Sequence, residues 1–134
     1  TYNSSPASVK SSALVARDLA TQRGARLLLA IGEMRELGAH SRAAHRELAP
    51  DVAAVAPAYV VVFGGDASEL ALGLVGAGVP SCFLVDAPAA LERLQALRQP
   101  GDVILVKASR GLRAERVVQG LQKEAARSAE GKAR

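Results

Sequence analysis

Apolar positions along this chain follow two alternating patterns. One is the short continuous run: Arg26 to Ile31, Tyr59 to Phe63, Ser81 to Val85 and Val103 to Val106 are too short for helices, and each reads as a strand. Val103-Ile104-Leu105-Val106, opened by the Pro100-Gly101 turn, is β-branched and unbroken by polar residues, which predicts burial on both faces. The other pattern is the three-to-four spacing of a helix. Ser5-Pro6 reads as an N-cap followed by proline at the first helical position, where its missing N–H costs nothing. The helix it starts carries a narrow stripe, Val9, Ala13, Ala16 and Ala20, suited to close packing on a sheet, and ends at Arg23-Gly24.

From Ser41, residues Ala44, Leu48, Val52 and Val55 share a face, but Pro50 interrupts it and predicts a kink near Glu47 or two short helices. Asp66 to Leu74, with Ala67, Leu70 and Leu74 inward, and Pro88 to Leu97 read as further helices. A last one begins at Leu112, with Ala114, Val117, Val118, Leu121 and Ala125 on one side, and the polar stretch from Gln122 is expected to fray. Strand and helix thus alternate with no hairpin signal. That order predicts one α/β domain over residues 1–126 and a polar tail over 127–134. The domain should be a Rossmann-like three-layer arrangement, a mostly parallel sheet covered by helices on both faces. In such sheets ligands sit where strands end, so the Lys-Ala-Ser-Arg-Gly loop from Lys107 is the first candidate site and the Gly32 to Gly38 loop the second.

Composition narrows the picture. At 134 residues and 49% hydrophobic the chain has one ordinary core, and with 3% aromatics and no Trp that core is built from Ala, Val and Leu. The single Cys82 permits no internal disulfide and reads as a core residue of an apolar strand; with no membrane-length apolar run and no signal-peptide pattern, a cytoplasmic protein is expected. The net charge of +4 suits phosphate or carboxylate partners, but the basic residues are spread out and lack the interleaved aromatics that stack nucleic-acid bases. His40 and His45, five apart, cannot form a two-histidine metal face, so a solvated or capping role is expected. Gly64-Gly65 and the glycines at 73, 76 and 78 read as turn glycines, since GxGxxG is absent. No GxxxxGK(S/T) occurs, so the chain carries no loop of its own for a triphosphate.

Three stretches carry a resemblance. Tyr2-Asn3-Ser4-Ser5-Pro6, then Ile31 to Gly38 (IGEMRELG) followed by His45-Arg46-Glu47, then Gly101 to Val118 (GDVILVKASRGLRAERVV) resemble, in order and separation, the carboxy-terminal domain of the Mur ligases. Among these they are most similar to the enzymes that add D-alanyl-D-alanine to UDP-N-acetylmuramoyl-tripeptide, whose usual forms are YNANP, LGDM-x-ELG with a following HRE, and GDV-x-LVKGSRG-x-R-x-E. The likeness is weak between Pro50 and Gln99. It implies an ATP-dependent amide-forming ligase of peptidoglycan precursor synthesis, in which ATP phosphorylates the tripeptide carboxylate and the dipeptide amine displaces phosphate. By that resemblance the phosphate loop, the magnesium ligands and the uridine-nucleotide pocket belong to preceding domains. This domain would contribute a closing wall, with Tyr2, Asn3 and Ser5 toward the nucleotide, Lys107, Ser109, Arg110 and Gly111 toward the dipeptide, and Glu33 in a neighbouring cleft loop.

The departures are Ser5 for the second Asn of YNANP, Glu33 for the usual Asp, and Ala108 for the Gly of KGSRG, which is tolerable only where φ is negative. The acidic residues that usually precede the first motif would lie upstream of Thr1, so an excised fragment, inactive by itself, is expected. The alternative is a stand-alone, non-catalytic α/β module that binds an anionic ligand or a protein partner.

Overall fold

A computed structural model describes residues 4–109 and 114–133, with side chains described as far as residue 127. The first helix, α1 (Pro6–Arg23), begins with a reciprocal cap. The Ser5 hydroxyl accepts from the Ser8 N–H at 3.1 Å, the Ser8 hydroxyl accepts from the Ser5 N–H at 3.0 Å, and Gly24 ends the helix at φ 61°. Strand β1 (Leu27–Gly32) follows, wholly buried, one residue later than the apolar run suggested, so Gly32 lies in the strand rather than after it. The Pro50 expectation resolves as two helices, α2 (Ser41–Glu47) and α3 (Ala49–Ala54), with the proline in the first turn of α3, where no N–H is missed.

Next come β2 (Tyr59–Phe63), α4 (Ser68–Gly76), β3 (Ser81–Leu84) and α5 (Ala87–Leu97), the last capped by the Asp86 carboxylate accepting from the Ala89 N–H at 3.0 Å. Strand β4 (Val103–Lys107) and helix α6 (Ala114–Ala133) complete the chain. The four strands form one parallel sheet in the order β3-β2-β1-β4, with Leu28 beside both Tyr59 and Ile104, and Val61 beside Cys82.

The pleat divides the core in two. Leu27, Leu29, Ile31, Val60 and Val62 face α1, α3 and α4, whereas Ala30, Val61 and Phe63 face α5 and α6. The expected small-residue stripe of α1 is buried in full, and Ala13, Ala16 and Ala20 let its backbone lie close over β1 and β4. At the amino end of the sheet Arg26 forks onto Asp102, Nε to Oδ1 at 2.9 Å and Nη2 to Oδ2 at 2.7 Å, tying the entrance of β1 to that of β4. No helix among the described residues is long and apolar enough to cross a membrane.

Two expectations need correction. Val103 to Val106 is not buried on both faces: only Val103 is buried, and the rest of β4 is half-buried at one edge of the sheet. On α6, which packs on α5 and β4, the inward stripe is Val117 and Leu121 with Ala114 partly buried beside them, while Val118 and Ala125 face outward. Helix α6 itself runs through the polar stretch from Gln122 to Ala133, whose Ala, Glu, Lys and Arg are good helix formers.

Candidate functional site

The strand order places a topological switch beside β1. From β1 the chain steps to β2 and β3 by helices on one face, then returns by α5 on the other face to β4, on the far side of β1. Loops leaving β1 and β4 therefore diverge to opposite faces, and the crevice between them lies at the carboxyl ends of the strands. Both candidate loops meet there.

Hydrogen bonds join these loops across the sheet. The Glu33 N–H donates to the Phe63 carbonyl at 3.0 Å, and the Glu33 carboxylate accepts from the Asp66 N–H at 2.6 Å, linking the ends of β1 and β2. Toward β4, the Ser109 N–H donates to the Glu33 carbonyl at 3.3 Å, and the buried Ser109 hydroxyl accepts from the Arg35 N–H at 2.7 Å. Arg35 also lies 3.5 Å from the Glu33 carboxylate.

Small residues make this closeness possible. A Cβ on Gly32 would stand 2.6 Å from that of Ala108 and 2.8 Å from the Phe63 ring, so Gly32 is the only residue that fits between them. Gly65, at φ 40°, leaves the space that the Glu33 carboxylate occupies. Ala108 is absent from the positive-φ residues of the described chain, so its departure from glycine carries no backbone strain, and its methyl group fills the space over Gly32.

The residue that sequence reasoning missed is His45. It is fully buried rather than solvated or capping: Nε2 accepts from the Met34 N–H at 2.8 Å and Nδ1 donates to the Ser41 carbonyl at 2.7 Å. Those bonds define the Nδ1–H tautomer and pin the loop at the residue next to the Arg35–Ser109 link. Glu36 holds a positive φ of 66° just after these two anchors, a conformation unfavourable for a non-glycine residue. The signal available in the sequence was the His-Arg-Glu that follows the second motif. Helix α2, which carries His45, is held to α4 by Arg42 and Arg46, both paired with the buried Glu69. The Arg42 hydrogen bond holds the Glu69 carboxyl below its ordinary range, against the burial that would raise it.

Of the residues singled out beforehand, Glu33 and Ser109 are brought together, and Lys107 ends β4 opposite Ile31, half-buried beside them. Ser5 is the N-cap of α1, its hydroxyl engaged with Ser8. Because α1 runs down to the start of β1, its amino end points toward the carboxyl end of the sheet. Tyr2, Asn3, Arg110 and Gly111 lie outside the described residues. Cys82 is half-buried against the α5 side of the core. No group of three or more His, Cys, Asp or Glu able to hold a metal ion occurs among the described residues.

What these loops can do is present two cations, Arg35 and Lys107, one carboxylate and a buried hydroxyl at one crevice, on a frame cross-linked between strands. Such a frame suits positioning of a charged ligand, since each side chain is held by its neighbours.

Comparisons with known proteins agree with that architecture. The crystal structure of a MurF ligase from Thermotoga maritima in complex with ADP is 26% identical, with a TM-score of 0.66 over 96% of this chain and 28% of that one. Two crystal structures of MurF from Acinetobacter baumannii are 25% and 26% identical, with TM-scores of 0.76 and 0.72, each over 92% of this chain. They are covered over only 27% and 26% of their own length, so this chain spans little more than a quarter of these relatives. No curated protein matches the chain. The family model described as Mur ligase, glutamate ligase domain, matches residues 1–110, and the chain belongs to the Mur ligase family, as a C-terminal domain of the MurF type.

Proposed function

We propose that the full-length protein is an ATP-dependent ligase that adds D-alanyl-D-alanine to UDP-N-acetylmuramoyl-tripeptide, and that this domain closes over the nucleotide and presents the dipeptide. The observation that carries the reading is the tie between the β1 and β4 loops: Ser109 bonds both Glu33 and Arg35, so Lys107 stands at a braced strand end beside the crevice. In this reaction a tripeptide carboxylate oxygen attacks the γ-phosphorus and ADP leaves. The dipeptide amine then attacks the acyl carbon, and phosphate departs with the C–O bond. Magnesium would neutralise phosphate charge, and its ligands and the phosphate loop fall to other domains of the protein.

The work of this domain is binding and exclusion of water. Lys107, Ser109, Arg110 and Gly111 would hold the dipeptide, the guanidinium forking onto its carboxylate. Ser109 keeps its hydroxyl hydrogen for donation, because its link to Arg35 uses only the oxygen as acceptor. Tyr2, Asn3 and Ser5 would face the nucleotide, with Ser5 contributing through the α1 amino end that it caps. Glu33 would act indirectly, by holding the loops together. Closure of this wall would keep water from the acyl phosphate, which otherwise hydrolyses.

The test is Arg110→Ala in the full-length enzyme. It should raise the dipeptide KM and lower kcat/KM by about 2 to 4 kcal/mol of transition-state stabilisation, with ATP kinetics little changed. Arg110→Lys should recover only part of that loss. Dipeptide kinetics within about twofold of the parent would refute the assignment. The 134-residue chain alone should bind ATP no more tightly than about millimolar, roughly −4 kcal/mol.

A further inference from the structure

Three successive backbone amides fix the loop after β1 to three different elements. The Glu33 N–H donates to the Phe63 carbonyl at the end of β2 at 3.0 Å, the Met34 N–H to His45 of α2 at 2.8 Å, and the Arg35 N–H to the Ser109 hydroxyl after β4 at 2.7 Å. The backbone of Arg35 therefore has a set place beside Ser109, and its side chain starts from a braced point at the crevice. Arg35 also fills the one position that the usual form LGDM-x-ELG leaves open, so no part of the motif calls for an arginine there.

That side chain is not spent on the fold. Arg26 forks onto Asp102, Arg42 and Arg46 share the buried Glu69, and Arg17 and Arg98 bind main-chain carbonyls. Arg35, by contrast, is 52% exposed and makes no side-chain hydrogen bond among the described residues. Its Nε stands 3.5 Å from Glu33 Oε1, longer than an ordinary N–H to oxygen bond, and an exposed pair of this kind contributes little to stability. Glu33 is itself committed to the Asp66 N–H at 2.6 Å, in the space that Gly65 leaves. The carboxylate thus keeps the guanidinium at the crevice without using up its five N–H donors. A guanidinium so held recognises a pair of anionic oxygens, those of a carboxylate or a phosphate. In the proposed reaction both partners bring such a pair, the dipeptide on its carboxylate and the acyl phosphate on its phosphoryl group.

We propose that Arg35 is a further substrate-binding residue of this crevice, its guanidinium forking onto an anionic oxygen pair of a reacting group, with Glu33 as the residue that positions it. The inference rests on the ligase reading of the full-length protein and adds one contact to the same site. Binding exchanges the long Glu33 contact for two short charge-assisted bonds. The backbone bond from Arg35 to Ser109 stays in place throughout, so the β4 loop and the guanidinium act on the ligand from fixed positions.

The experiment is steady-state kinetics of the full-length enzyme and its Arg35→Ala and Arg35→Lys variants, with D-alanyl-D-alanine and with its C-terminal amide, alongside the melting temperature of each protein. Arg35→Ala keeps the backbone N–H and its bond to Ser109, so its melting temperature should stay within about 3 °C of the parent. Its kcat/KM for the dipeptide should fall at least about tenfold, and Arg35→Lys, which keeps the charge but loses the fork, should recover only part. A fall that shrinks below about twofold with the amide identifies the dipeptide carboxylate as the partner, and a fall that persists with the amide identifies the phosphoryl group; either supports the proposal. A kcat/KM within about twofold of the parent would overturn it, as would a melting temperature lower by more than about 3 °C, the mark of a structural residue. A parent enzyme inert toward D-alanyl-D-alanine overturns the ligase reading and this proposal with it, whereas an active parent with an unaffected Arg35→Ala variant overturns this proposal alone.

Discussion

Replacing His45 separates the two bonds that hold the site loop. The ring is 0% exposed, its Nε2 satisfies the Met34 N–H at 2.8 Å, and its Nδ1–H is anchored on the Ser41 carbonyl at 2.7 Å. Met34 is itself fully buried, so removing the acceptor leaves a donor with no access to water. That costs about 1 to 3 kcal/mol. His45→Ala adds the cavity left by the ring, for a total of about 3 to 5 kcal/mol. Glutamine can set its amide oxygen close to the Nε2 position and keep the Met34 bond, so His45→Gln should cost about 1 kcal/mol, the loss of one ordinary hydrogen bond. Asparagine reaches only the Nδ1 position, leaves Met34 orphaned, and should cost about 2 to 3 kcal/mol. The assay is equilibrium urea unfolding of the 134-residue chain followed by far-UV circular dichroism, since there is no Trp to report. The expected order of loss is Ala, then Asn, then Gln, with faster exchange of the Met34 amide in the Ala and Asn variants alone. Equal losses for Asn and Gln, or a loss below about 1 kcal/mol for Ala, would refute the reasoning, because the Met34 bond would then not be what holds the loop.

Gly32→Ala should destabilise the domain by about 1 to 3 kcal/mol in the same assay, since the added methyl meets Ala108 at 2.6 Å and the Phe63 ring at 2.8 Å. Adding Ala108→Gly should return part of this, with a coupling of at least about 0.5 kcal/mol, whereas strictly additive losses would deny the contact. Asp102 is held below the usual carboxylate range by its hydrogen bonds with Arg26, so its contribution is present above the unfolded value of about 3.9 and is lost as pH falls through the lower folded value. The stability gap between the parent and Asp102→Asn should therefore be largest near neutrality and narrow below about pH 4, and a gap constant with pH would contradict the Arg26 pairing.

Most elements were legible because their causes are local. The spacing of Val9, Ala13, Ala16 and Ala20 lies within one helix, the Ser5 cap within four residues, and the Pro50 break follows from one missing N–H. The apolar runs that became β1, β2 and β4 needed only their own composition, and their alternation with helices was enough to require a parallel sheet. The site was legible as two loops but not as one crevice. Only the order β3-β2-β1-β4 sets the ends of β1 and β4 side by side, and nothing in the sequence ranks that order above others. His45 was misread because its partners, the Met34 N–H and the Ser41 carbonyl, are backbone groups that leave no mark in side-chain chemistry. The reach of Glu33 to Asp66 and of Ser109 to Arg35 spans 33 and 74 residues, distances over which no periodicity carries information. Residue patterns determined what each segment would become. Which segments would touch was decided by the packing of helices on two faces of a twisted sheet, where chain-distant groups meet because burial leaves each polar group only its spatial neighbours to bond.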